Sequence, residues 1–366
     1  MKIGIFTFPN SISYGAALQM YALYRSVQKL GYETEVINYH NIYMKNEKHT
    51  KNLTSPSFKF VLKTFVRKIV HQKKYHGFKA FEKKRIKLYP YNPVTNKSDL
   101  LHIGNRYDAI ICGSDQVWNP YITNEDLSYF LDFCGEKTRR ISYAPSFGVD
   151  EISEGFSDKI SKELNKFHSI SVREASGRNL IKRFVDKEIE LVLDPTFLLS
   201  KNEWESLESP FCKIKDEYVL YYVVKNSPKL FSFCRNFAKK NGLNMIVVDG
   251  NILYKIRNKD PFIKYAIDVT PSEWLNLVHN AKYVVTNSFH GTAFSIIYRK
   301  DFYLEMPSIA NSRLVHILEF LGLQNRVLNQ FDLIEASSVD YFNVEKKLSE
   351  LIDSSVNYLK SSLKED

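Results

Sequence analysis

The feature that most restricts what this chain can fold into is a strand-then-helix alternation that runs through it twice. "KIGIFTF" is an apolar strand, "PNSISYGAAL" a loop, and "LQMYALYRSVQKLG" a helix that stops on Gly31. "TEVINY" follows as a second strand, and the pattern resumes with "YDAIICGSD", "RRISYAPSFG", "HSISVRE" and "LVLDPTFLL". These runs are rich in Ile and Val and nearly continuous in apolar character, as strands are when both faces of a parallel sheet are covered.

A polar stretch without periodicity, "LSKNEWESLESPFCKIKD" at Leu199–Asp216, interrupts the series. A second one then begins: "YVLYYVV", "PKLFSFCRNFAKKNG", "LNMIVVDG", "TPSEWLNLVHNA", "KYVVTNS", "GTAFSIIYRK", "DFYLE" and "NSRLVHILEFLG". Thr270 and Pro271 supply an N-cap and a proline at the first helical position. At 366 residues the chain exceeds what one core usually serves. The expected architecture is α/β and GT-B-like, with two Rossmann-like domains whose parallel sheets face a cleft. The expected domains are 1–200, carrying a basic helical insertion at about 44–90, then 215–330, then a closing helix at 340–366.

Composition narrows the class. Apolar content of 44% with 25% charged residues is that of a soluble globular protein. No apolar run approaches a membrane-spanning length, and the opening residues lack a signal peptide's pattern. Cys112, Cys134, Cys212 and Cys234 are scattered without CxxC spacing, which predicts reduced thiols, no metal and a cytoplasmic location. The net charge of +10 is concentrated: fourteen lysines and arginines lie between Met44 and Lys87, opposed by Glu47 and Glu82. Interleaved Phe58, Val61, Leu62, Phe65, Val66 and Ile69 fit helices with one apolar and one basic face. That segment reads either as a solvated helical hairpin or as a surface for anionic lipid headgroups, which would place the protein peripherally at the inner membrane face. No nucleic-acid-binding motif accompanies the charge, so nucleic acid is not expected as a partner.

Four loops after apolar strands carry the polar chemistry. In open α/β sheets, ligands bind where strand ends meet helix N-termini. In "SISYGAALQ", Gly15 lets backbone approach a ligand, with Tyr14 and Gln19 beside it; a tight strand–helix turn is the alternative. In "ICGSDQVWNP", Ser114, Asp115 and Gln116 set donors and acceptors next to Trp118. A sugar site needs that combination, polar groups for hydroxyls and a flat apolar face for the ring; Asp115 as an N-cap is the other reading. In "SISVREAS", Arg173 can clamp a carboxylate or phosphate with two parallel bonds, or pair internally with Glu174 or another acid. In "TNSFHG", His290 stands where a strand hands over to a helix, and its imidazole changes charge near neutrality. Ser288 and Thr292 add hydroxyls there, and Gly291 adds an unobstructed backbone. Arg313 is either a further anion contact or a surface arginine. No GxxxxGK[ST], GxSxG or HExxH is present, which argues against P-loop phosphoryl transfer, an esterase elbow or a zincin.

Taken in order, "YGAALQMYALYRSVQKLGYETEVINY", "YDAIICGSDQVWNP", "ISYAPSFG", "SVRE", "LVLDPTFLL" and "TNSFHGTAFSI" resemble the polysaccharide pyruvyl transferase family over about residues 3–325. The resemblance implies transfer of pyruvate from phosphoenolpyruvate onto two hydroxyls of a sugar in a surface-polysaccharide intermediate, often lipid-linked, as a cyclic ketal. It places the family's essential histidine on His290 and its donor-binding arginine on Arg173; Ser288, Gly291, Thr292 and Arg313, from the loops themselves, are the further expected donor contacts. Asp115 is then the expected base, and Tyr14, Gly15, Gln19, Ser114, Gln116 and Trp118 form the acceptor side. Phosphoenolpyruvate is a substrate, and no cofactor or metal is expected. Many members carry Arg-Leu-His-Gly where this chain has Ser288-Phe289-His290-Gly291, so either Arg313 or Arg173 covers the missing arginine's role or the donor is bound differently from other members. Two rival readings are a GT-B glycosyltransferase using a nucleotide sugar, for which Glu305 is the candidate ribose carboxylate, and a non-catalytic carbohydrate-binding protein that would tolerate loss of His290.

Overall fold

The structure is a computed structural model that describes residues 1–43, 72–211, 216–248, 260–307, 312–329, 331 and 337–364. The chain divides into two compact units, counting in each only the described residues. The first comprises Met1–Phe60, Glu82–Leu198 and Ser349–Asp366, the second Val61–Phe81 and Leu199–Leu348.

In the first unit the elements run β1 (Lys2–Phe6), α1 (Tyr14–Lys29), β2 (Glu33–Tyr39), the last residues of α2 (Gln72–Arg85, whose start belongs to the second unit), β3 (Leu88–Val94), α3 (Lys97–Gly104), β4 (Ala109–Cys112) and α4 (Pro120–Thr123). They continue with β5 (Arg139–Ser142), α5 (Glu154–Leu164), β6 (Ile170–Val172), α6 (Ala175–Ile181) and β7 (Ile189–Leu191). Five strands form a parallel sheet in the order β3-β2-β1-β4-β5. A parallel bridge between Ile141 and Ser169 leads on to the β6–β7 pair. This is the Rossmann order, reversing direction between β1 and β4. Ile3, Ile5, Ile110 and Ile111 are fully buried, because helices and loops cover both faces of the central strands. Helix α1 ends as its sequence requires: Gly31 takes a φ of 92°, which a residue with a Cβ adopts only under strain.

The second unit holds α7 (Lys201–Glu205), β8 (Tyr218–Tyr222), α8 (Pro228–Lys240), β9 (Asn244–Val248), β10 (Ile263–Ala266), α9 (Pro271–His279) and β11 (Tyr283–Thr286). It continues with α10 (Phe289–Ile297), β12 (Asp301–Leu304), α11 (Ser312–Leu321) and the start of α12 (Tyr341–Leu363). Its parallel sheet repeats the order, β10-β9-β8-β11-β12, reversing between β8 and β11. Capping boxes at Ser200/Glu203 and Thr270/Glu273 start α7 and α9.

Two strands carry no clear sequence signature, β3 and β10, and each is the edge strand of its sheet. In β3, "LYPYNPV", Pro90 and Pro93 cannot donate to a ladder and are tolerated only at an edge. "LVLDPTFLL" reads as one strand but is β7, a turn, and a 3₁₀ helix over Pro195–Leu198. In the basic segment, residues 44–71 lie outside the described residues; α2 is its described end. Helix α2 starts within the second unit: the N–H groups of Lys73 and Lys74 donate to Asp268, at 2.9 and 2.5 Å, and Lys73 Nζ pairs with Glu273 at 2.5 Å. No helix among the described residues is long and apolar enough to cross a membrane.

Candidate active site

In each sheet the order reverses at a point where the carboxyl ends of two neighbouring strands part, and these points are where such folds bind ligands. In the first unit the loops concerned follow β1 and β4, in the second β8 and β11. Asp115 therefore stands at the first point and His290 at the second.

At the first point the polar side chains are turned mostly on one another. Thr7 Oγ1 donates to the Ser114 carbonyl at 3.0 Å and accepts from Gln19 Nε2 at 3.4 Å; the same amide donates to the Ala16 carbonyl at 3.1 Å. Ser114 Oγ donates to Asp194 Oδ2 at 3.3 Å. Arg173 Nη1 pairs with Asp194 and reaches Ser114 Oγ at 3.4 Å, while its Nε lies 3.9 Å from Glu174 Oε2. Asp194 also accepts from Thr196 N and Oγ1, at 3.0 and 2.8 Å. Burial opposes the charge on Arg173, but Asp194, Glu174 and Asp115 together raise its pKa. The loops after β4 and β5 are zipped by Ser146 N donating to the Asp115 carbonyl at 2.9 Å. Two non-glycine residues in these loops lie in the left-handed region, Asp115 at φ 79° and Ala144 at φ 56°. Such strain concentrates at functional sites.

Several expected contacts are corrected by this geometry. Trp118 offers no face to a sugar: it is 0% exposed, stacks on Phe130 at 5.1 Å, and donates its indole N–H to the Tyr129 carbonyl. Its apolar area is that of a core anchor. Arg173, 4% exposed, pairs internally, and the partner is Asp194 more closely than Glu174. Tyr14, Gln19 and Ser114 are likewise buried. Asp115 and Gln116 are the candidates of this edge whose side chains remain partly exposed, with Asp115 Oδ1 accepting from Gln116 N at 2.8 Å. Gly15 lies in the first turn of α1, whose N-cap, Ser13, makes no side-chain capping bond.

The second edge is organised by a turn of side chain–backbone bonds. Thr286 Oγ1 donates to the Tyr222 carbonyl at 2.6 Å and accepts from Ser288 N at 3.0 Å. Asn287 spans the reversal, accepting from Val224 N at 2.9 Å and donating to the Lys225 carbonyl at 2.7 Å. Ser288 is the N-cap of α10 and accepts from Gly291 N at 3.3 Å, so its hydroxyl serves the helix. Thr292, fully buried, donates to the Ser288 carbonyl. Gly291 is required by space: a Cβ there would lie 2.4 Å from Thr286 Oγ1. His290 is then the second residue of α10 and stays partly exposed. Phe289 contacts it edge-on at 5.2 Å and carries the Arg313 guanidinium 5.5 Å from its own ring centroid. His290 and Arg313 are thus assembled around one aromatic ring at a helix N-terminus.

Glu305, the candidate for a nucleotide's ribose, accepts from Ser227 Oγ at 2.8 Å and from Asn287 Nδ2 at 3.4 Å. Arg326 is buried and donates to the carbonyls of Ser337 and Ser338. Sequence reasoning missed Asp194, Asn287 and Phe289. An aspartate directly after the apolar run of β7 was the available signal for the first. Asn287 and Phe289 flank the histidine loop but carry no pattern of their own. Among the described residues, no cluster of His, Cys, Asp and Glu could hold a metal ion.

Comparison with solved structures defines the fold. A putative UDP-N-acetylglucosamine 2-epimerase from Listeria monocytogenes matches 99% of this chain and 90% of its own, at 9% identity and a TM-score of 0.51. The UDP-GlcNAc 2-epimerase of Methanocaldococcus jannaschii, in complex with UDP-GlcNAc and UDP, matches 96% of this chain and 93% of its own, at 12% identity and a TM-score of 0.52. The architecture is GT-B-like, and likeness at this identity speaks to fold alone. No curated protein matches the chain. The family model for polysaccharide pyruvyl transferases, in contrast, matches residues 14–304, a stretch that takes in both switch points, Asp115 and His290 alike; the chain belongs to that family.

Proposed function

We propose that the protein transfers the pyruvate unit of phosphoenolpyruvate to two hydroxyls of a sugar in a surface polysaccharide or its lipid-linked precursor, forming a pyruvate ketal. The observation that supports this most is the setting of His290, partly exposed at the second position of α10 with Arg313 across the shared Phe289 ring. Phosphoenolpyruvate is a polyanion, and a helix N-terminus, an arginine and an imidazolium are the groups such a ligand seeks.

In this reading His290 gives a proton to the methylene carbon of the bound enol, and the adjacent carbon becomes an oxocarbenium centre. One sugar hydroxyl forms a C–O bond to that carbon as Asp115 takes its proton. The C–O bond to phosphate then breaks, and the second hydroxyl closes the ring. Of the two hydroxyl protons lost, one replaces that given by His290 and one leaves with inorganic phosphate. A placed acid of this kind contributes about 10²–10⁴-fold. The donor is assigned to the second unit's edge and the acceptor to the first, where Gln116 adjoins Asp115. The bonds Glu305 makes to Ser227 and Asn287 weigh against the nucleotide-sugar reading.

The test is a thermal-shift titration with phosphoenolpyruvate and with UDP-sugars, paired with an assay for phosphate release. A ligand at ten times its Kd adds about 1.4 kcal/mol of stability. A shift with phosphoenolpyruvate, and phosphate release lost in His290→Ala, is the expected result. A shift with a UDP-sugar alone would make the protein a glycosyltransferase. For the membrane, exposed Lys79, Lys83 and Lys84 of α2 would each add about 1 kcal/mol of attraction to anionic lipid. Neutralising all three should release the protein from phosphatidylserine vesicles, and unchanged binding would remove the idea.

A further inference from the structure

Arg173 is the arginine that the family resemblance assigns to the donor, yet its surroundings suit a different task. Its side chain is 2% exposed, and that of its partner Asp194 is 0%. The pair lies under the ends of four consecutive strands. Arg173 follows β6, Asp194 follows β7, and Ser114, which both contact, follows β4. The β5 loop joins through Arg173 N donating to the Pro145 carbonyl at 3.4 Å, and through Ser146 Oγ donating to Glu174 Oε1 at 2.6 Å. A planar guanidinium with fixed donor directions is suited to holding a carboxylate and a hydroxyl at once.

What rests on this arrangement is the turn after β4. Its backbone is strained at Asp115, φ 79°, and a strained residue persists only where its surroundings over-determine it. On one side Asp115 is zipped to the β5 loop through Ser146; on the other it follows Ser114, whose hydroxyl is fixed by Arg173 and Asp194. Charge argues the same way. Three carboxylates, Asp115, Glu174 and Asp194, act on this one guanidinium. A polyanionic donor brought to Arg173 would meet that excess of negative charge.

We infer that Arg173 is a positioning residue: with Asp194 and Ser114 it fixes the strained turn that presents Asp115 at the carboxyl edge of the first unit, and it does not bind the donor. This assignment rests on the pyruvyl-transfer reading.

The test compares wild type with Arg173→Lys, Asp194→Asn and the milder Ser114→Ala. It measures amide exchange over residues 113–118, Kd for phosphoenolpyruvate by calorimetry, and phosphate release with a panel of 4-nitrophenyl hexopyranosides as acceptors. In Arg173→Lys and Asp194→Asn, exchange in the turn should rise at least tenfold and kcat should fall at least tenfold. Kd and KM for phosphoenolpyruvate should stay within twofold. In Ser114→Ala the same pattern should appear at about threefold. A tenfold weaker Kd in Arg173→Lys, with Asp194→Asn unaffected, would make Arg173 a donor ligand and overturn the inference. Unchanged exchange in all three variants would overturn it too, whichever acceptor proves competent. Should Arg173→Lys or Asp194→Asn fail to fold, Ser114→Ala decides by the same two measurements. Wild type that neither binds phosphoenolpyruvate nor releases phosphate would instead defeat the pyruvyl-transfer reading, while the exchange measurement still judges the turn.

Discussion

The carboxyl edges of the two sheets share a topology and are built to opposite plans. At the first, buried side chains close on one another under a strained turn, and Asp194 and Glu174 both lie within 4 Å of one guanidinium. At the second, backbone-directed bonds from Thr286, Asn287 and Ser288 shape a helix start. They leave His290 partly exposed, with Arg313 nearby and Glu305 already held by Ser227 and Asn287. On the proposed reading, the same strand order serves a sugar's hydroxyls at one edge and an anionic donor at the other. What distinguishes them is which side chains each strand end carries, since fold alone does not choose a ligand.

The sharpest way to break this contrast is His290→Ala. Turnover should fall by about 10²–10⁴-fold, the range for a placed acid. Circular dichroism should be unchanged, because the helix is capped by Ser288 and does not depend on the imidazole. Full activity would remove the acid from the second edge and with it the proposed division of labour.

Trp118→Ala tests the first edge from the other direction. A fully buried tryptophan packed on Phe130, Phe147 and Phe167 should cost about 3–5 kcal/mol when truncated, read as a fall in the midpoint of denaturant unfolding. A sugar platform predicts the reverse, near-normal stability with weakened acceptor binding. Arg313→Ala should weaken phosphoenolpyruvate by about 1.5–3 kcal/mol, the range for a hydrogen bond to a charged group, or roughly ten- to a hundredfold in Kd. An equal loss in Arg173→Lys would erase the difference between the edges.

How much of this was legible in the sequence varies by element. The central strands are apolar throughout because both their faces are buried, and that pattern needs no tertiary knowledge to read. Strands β3 and β10 escaped because edge position relaxes the pattern: β3 tolerates two prolines, and β10, "IKYA", is half-exposed. At the site, His290 was legible because a glycine and a capping serine mark the handover from strand to helix. Trp118 sits in the expected loop but faces the core, and Arg173 takes the internal ion pair that was one of its two readings. Spacing fixes where a residue falls along the chain, whereas the partner it meets, Asp194 or Phe130, comes from another loop. Asp194 itself looked like part of a strand.

The smallest predicted effect lies toward the amino ends of the first sheet, away from either candidate edge. Glu35, in β2, has a side chain 1% exposed and is met by Lys87 at 2.8 Å, Tyr107 at 3.0 Å, Lys2 at 3.2 Å and Arg106 at 3.4 Å. Burial pushes its pKa up, but these four partners outweigh burial and hold it down at about 2, against an ordinary 4.5. A carboxyl whose pKa is lower folded than unfolded binds its proton more readily when unfolded. Its contribution is therefore complete above about pH 4.5 and is lost as pH falls toward 2. Because Lys87 and Arg106 are substantially exposed, screening reduces that contribution to about 1–2 kcal/mol. Urea unfolding of wild type and Glu35→Gln should differ by that amount at pH 7, and the difference should shrink below pH 4.5 and vanish only below about pH 2. A difference that survives acid would mean the side chain acts by packing, and this edge would then offer no electrostatic contrast to the other two.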